Sequence, residues 1–63
     1  MNTYEVTYEV RLRGTDHPRT LYSLAVSAAT GKEAIDLARR QMEDEEGLET
    51  HFMQNIRRIE NAQ

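Results

Sequence analysis

The sequence predicts an α+β domain of ββαβ layout, a three-stranded antiparallel sheet in the order 2-1-3 with one helix packed on one face. Three observations carry this: strict alternation over residues 4–12, a second alternating run over 21–28, and a capped amphipathic segment opening at Thr30. The 63 residues make a single domain, 1–63. A chain of this size buries only about 60% of the surface its unfolded form exposes. Its core is therefore one layer of side chains between sheet and helix, too thin for a deep substrate pocket.

In the first strand Tyr4, Val6, Tyr8, Val10 and Leu12 take one face, and Glu5, Thr7, Glu9, Arg11 and Arg13 the other. A period of two rich in β-branched and aromatic residues marks a half-buried antiparallel strand. Gly14-Thr15-Asp16-His17-Pro18 is a turn cluster, in which Gly takes positive φ readily and Pro removes a ladder donor. Leu21 to Ala28 forms the second strand of a hairpin, with Tyr22, Leu24, Val26 and Ala28 toward the core. Thr30-Gly-Lys-Glu33 fits a capping box, Thr30 accepting from the third helical amide and Glu33 reaching back to the cap amide. The helix is expected from Gly31 to Glu46, stopped by Gly47. At 100° per residue Ala34, Ile35, Ala38 and Met42 share the stripe that faces the sheet.

The tail admits two readings. Leu48, Phe52, Ile56 and Ile59 have the spacing of a second amphipathic helix. Phe52, Gln54 and Ile56 equally suit a strand, with a bulge shifting phase before Ile59. The strand is favoured because a lone hairpin under one helix is marginal in water, whereas a third strand completes a sheet able to carry the helix. The helix also returns the chain to lie beside the first strand.

Composition narrows the function classes. With no cysteine there is no disulfide framework, thiolate nucleophile or Cys-based zinc site, and the expected location is the cytoplasm. Met1-Asn2-Thr3-Tyr4 does not resemble a signal peptide, and no apolar stretch approaches the roughly 20 residues that span a bilayer. His17, His51 and Asp16 could be neighbours at one end of the sheet but lack metal-ligand spacing, and no metal is expected. No serine sits in a Gly-x-Ser-x-Gly elbow, and Gly14, Gly31 and Gly47 are isolated, so no phosphate-cradling loop exists. The expectation is a protein without enzymatic activity and without a cofactor.

The formal charge of −3 is unevenly distributed. Residues 32–49 hold seven acids against three bases, and the remainder four acids against five arginines. Direct nucleic-acid binding is disfavoured, since phosphate affinity comes from counterions released at Lys and Arg. Tyr4, Tyr8 and Tyr22 share parity with the core valines, so they are not a stacking platform on an open face. Arg11, Arg13, Arg19, Arg57 and Arg58 are then solubilising residues with partners such as Glu5 and Glu9 across the strands.

The run Glu43-Asp44-Glu45-Glu46, with Glu49 close behind, stands at the end of the predicted helix, where the macrodipole disfavours carboxylates. Pairs Lys32–Asp36, Asp36–Arg40, Arg39–Glu43 and Arg40–Asp44 would compensate the earlier acids, leaving Glu45, Glu46 and Glu49 without a nearby cation in sequence. The candidate partner-binding residues are Glu33, Asp36, Glu43, Asp44, Glu45, Glu46 and Glu49.

The hairpin, the segment Val26-Ser-Ala-Ala-Thr-Gly-Lys-Glu-Ala-Ile-Asp-Leu-Ala38 and a closing strand around Ile56-Arg-Arg-Ile59 resemble in layout the small acidic ββαβ proteins of phages and mobile elements, anti-CRISPR proteins among them. The resemblance implies an inhibitor that acts by DNA mimicry, occupying the basic, nucleic-acid-binding surface of a larger protein complex in a host cytoplasm. The alternative is a self-associating module, a homodimer formed by edge pairing or across the polar sheet face; a small nucleic-acid-binding domain comes third.

Overall fold

The computed structural model describes residues 1–61 and runs β1 (Asn2–Leu12), β2 (Thr20–Ala28), α1 (Gly31–Asp44) and β3 (Leu48–Asn61). The sheet is antiparallel in the order β2-β1-β3, as the alternating patterns predict. Val6, Tyr8 and Val10 are buried in the central strand, against Ala34, Ala38 and Met42 of α1 and Ala28 at the end of β2. Two alanines in that stripe let the helix backbone approach the sheet closely, and Met42 is the largest side chain fully buried. Tyr4, Tyr22, Leu24, Val26, Ile35 and Ile56 pack around this centre, so the tyrosines belong to the core side as their parity requires.

The helix starts where the capping pattern places it. Thr30 is extended at φ −135° and its hydroxyl accepts from the Glu33 amide at 3.2 Å. Glu33 closes the cap differently from expectation: its Oε1 accepts from the amide of Ala29 at 3.0 Å, one residue before the cap. The regular helix stops at Asp44, two residues short of the predicted end. The amides of Glu45 and Glu46 both donate to the Gln41 carbonyl, at 2.9 and 3.2 Å, the second spanning five residues, which widens and closes the last turn before Gly47 turns the chain at φ +69°.

The tail is a strand, and its phase differs from the one expected. β1 and β2 pair without interruption from Asn2–Ala28 to Val10–Thr20. β3 instead makes three register shifts against β1, which leave His51, Gln54 and Ile59 as extra residues. Each bulge reverses the alternation that follows. Phe52 therefore falls opposite Glu9 on the face away from the helix and is 60% exposed, while Met53, opposite Tyr8, takes the core side. Gln54 is a bulge residue and exposed, so of the three alternating residues only Ile56, opposite Val6, points inward. Ile59 is itself a bulge residue, 44% exposed.

Candidate partner-binding site

The seven acids do not form one face. Glu33 is occupied by the cap at the start of α1, roughly 15 Å along the axis from the 43–46 run. None of the four expected i,i+4 pairs forms; Asp36 meets Arg39 instead, three residues on, at 3.8 Å. Glu43 is half-buried, turned toward β3, and its Oε2 accepts the hydroxyl of Thr50. Asp44, Glu45 and Glu46 follow as a consecutive exposed run, with no ion pair among the described residues.

Glu49 differs from its expected isolation. It lies directly opposite Arg11, whose Nη2 donates to its Oε1 at 3.4 Å. The cation is 38 residues away in sequence, so spacing along the helix could not reveal it. The register supplies it, because antiparallel pairing of Leu12 with Leu48 brings the end of β1 to the start of β3.

The same pairing brings Arg13 to the helix exit. Its amide donates to the Gly47 carbonyl at 3.2 Å, and its Nη2 donates to the carbonyls of Glu43 at 3.0 Å and Leu48 at 3.3 Å. α1 has no basic residue in its own last turn. Arg13 therefore provides, from the end of β1, the positive charge that a helix C-terminus favours. It satisfies backbone carbonyls rather than carboxylates, which leaves Asp44, Glu45 and Glu46 free. A parity reading of β1 alone had made Arg13 a solubilising residue of the sheet.

The remaining arginines on the open sheet face are paired. Arg57 meets Glu5 at 2.9 Å and Arg19 meets Glu9 at 3.1 Å, across the strands as expected. Thr7 and Ser23 share a hydrogen bond of 2.7 Å between them. Leu21 and Phe52 flank Glu9 on either side and are 62% and 60% exposed. No three His, Cys, Asp or Glu side chains gather to hold a metal among the described residues. His17 is exposed in the turn after β1, whereas His51 is a half-buried bulge residue whose Nε2 has no hydrogen-bond partner. Burial pushes the Tyr8 phenol above its ordinary pKa of 10.0; Asp36 and Glu43 push the same way and Arg39 opposes them.

Beside the acidic exit, an open groove of about 300 Å³ runs between β2 and α1, lined by Val26, Leu37, Arg40, Gln41, Asp44 and Glu45. No helix is long and apolar enough to cross a membrane among the described residues. The chain matches no family model, no curated protein and no solved structure.

Proposed function

We propose that this chain is a small acidic protein-binding inhibitor that seats the exit of α1 in the basic, nucleic-acid-binding surface of a larger protein. The observation that supports it is the state of Asp44, Glu45 and Glu46: three consecutive exposed carboxylates, unpaired among the described residues, at the negative end of a helix. The helix dipole and their mutual repulsion both oppose them there, and the one nearby cation, Arg13, is engaged with backbone carbonyls. Binding to a cationic surface reverses both terms.

Three carboxylates crowded at one helix exit concentrate negative charge in a small patch, as a phosphate backbone does. A site built to neutralise phosphates accepts such a run without redesign, and complementary charge speeds the encounter. Glu43 and Glu49, each held by a hydrogen bond or ion pair, form the shoulders of the patch, while Asp36 and Glu33 lie further along the helix. Action in a host cytoplasm, in the manner of the anti-CRISPR proteins that the layout resembles, belongs to the same proposal.

The test is affinity capture from a host lysate with the immobilised protein, followed by elution with duplex DNA. The expected result is a nucleic-acid-binding protein that is retained at low salt and released by the duplex. Captured proteins indifferent to both DNA and salt would sink the mimicry reading.

A further inference from the structure

The groove between β2 and α1 is apolar at one end and acidic at the other. Val26 forms its sheet side and Leu37 its helix side, both half-buried, with Gln41 beyond them and Arg40, Asp44 and Glu45 exposed along the rim. Its direction follows from the packing of α1. The helix starts at Gly31 against Tyr4 and Ile56, and ends where Glu43 reaches Thr50. Tyr4 pairs with Val26, while Val10 pairs with both Thr20 and Thr50. Hence α1 runs antiparallel to β2, from the level of Val26 to the level of Thr20. Seven residues of helix, about 10 Å, separate Leu37 at the apolar end from Asp44 at the acidic end.

The groove opens onto a free sheet edge. None of the hydrogen bonds outside the ladder uses a backbone group of Thr20–Ala28 among the described residues, so the outward amides and carbonyls of β2 have no protein partner. An extended segment is the shape that such an edge accepts. Every second side chain of a strand laid there points to the helix side and enters the groove. The β3 edge offers no equivalent, because three bulges interrupt it.

We propose that the groove takes an extended, basic segment of a partner protein, added antiparallel to β2 as a fourth strand. An apolar side chain of the segment fills the space between Val26 and Leu37, and an arginine or lysine four residues further on meets Asp44 and Glu45. The proposal rests on the reading of the helix exit as a site for cations, and gives the partner's chemistry there. Charge selects the occupant. Arg40 sets one positive charge on the rim against the two carboxylates, so the potential of the groove stays negative, and Asp44 and Glu45 have no ion pair among the described residues. A second copy of β2 brings no charge to them, since Thr20–Ala28 holds none. Spacing selects the pattern. Four residues of strand cover about 13 Å, so with its apolar residue opposite Val26 the segment has its cation opposite Tyr22. The stem of that side chain then lies along Gln41 and its charge at the exit.

The probe is the peptide Thr-Leu-Thr-Val-Thr-Arg-Thr-Arg, capped at both ends and titrated into the intact protein by heteronuclear NMR. Its apolar and basic side chains share one face. The control, Thr-Leu-Thr-Val-Arg-Thr-Arg-Thr, keeps composition and charge but moves both arginines to the other face, as a shift of one residue does. The first peptide should give saturable shifts at Val26, Leu37 and Gln41 and protect alternate amides of β2. It should bind about tenfold more tightly than the control, and Asp44→Asn with Glu45→Gln should abolish that advantage. Failure to saturate by about 1 mM, or equal affinity for the two peptides, would overturn the proposal. So would shifts confined to residues 44–46, a result that leaves the exit a cation site and removes only the groove. Groove binding that the Asn/Gln variant leaves undiminished would remove the exit reading as well. Protection of β2 that rises with protein concentration alone would identify a second copy as the occupant and overturn the proposal too.

Discussion

Gly47 has its Cα in the left-handed region, at φ +69°, with nothing within 4 Å of where a Cβ would stand. Space is therefore no obstacle to a side chain, and backbone strain alone sets the cost. Gly47→Ala should destabilise the fold by about 1 kcal/mol, the usual penalty for an L-residue there. Chemical denaturation measures it, and Gly47→Asn should lose less because Asn tolerates this region. Tyr8 gives a pH dependence with a definite sign. Its folded pKa is raised above the unfolded 10.0, chiefly by burial. The native state thus holds its proton where the unfolded chain has released it, and stability falls as pH rises from 10 through the folded value. Denaturation midpoints taken across that range should decline, and Tyr8→Phe should flatten the decline.

At the scale of elements, β1, β2 and α1 were legible because each depends on neighbours in sequence. Alternation, the Thr30 cap and the Ala34–Ala38–Met42 stripe are local patterns, and most residues lie where they place them; Leu12, at the strand end beyond the helix, is 49% exposed instead of core, and Glu33 reaches Ala29 instead of the cap amide. β3 was legible as a strand but not in phase. Periodicity can locate a bulge only when the pattern is strong, and Phe52-Met-Gln-Asn-Ile56 is compatible with more than one phase. The partners of Glu49 and of the helix exit were illegible for another reason: Arg11 and Arg13 reach them through strand pairing, and no spacing rule along one element encodes that. The seam between sheet and helix yields a sharper test. Met42 is fully buried in the core, so Met42→Ala leaves a cavity and costs about 2–5 kcal/mol. Native domains hold roughly 0.05–0.15 kcal/mol per residue, which makes that loss a large part of the total for so small a chain. Circular dichroism should show the variant largely unfolded near physiological temperature.

For the whole molecule, charge is sorted by what folding uses. Glu5, Glu9, Asp36 and Glu49 are in ion pairs, Glu33 caps the helix and Glu43 holds Thr50. Asp44, Glu45 and Glu46, with Asp16 in the hairpin turn, are left without a side-chain partner among the described residues, and of these only the three stand at the negative end of the helix. The most direct measurement is the affinity of Asp44→Asn/Glu45→Gln/Glu46→Gln for the captured partner, taken beside its melting temperature. Affinity should drop by roughly tenfold or more as interfacial charge pairs are lost, while melting rises by a few degrees once the dipole and repulsion terms are relieved. Undiminished affinity in a variant that melts no lower than the native protein would contradict the assignment of the helix exit as the binding site.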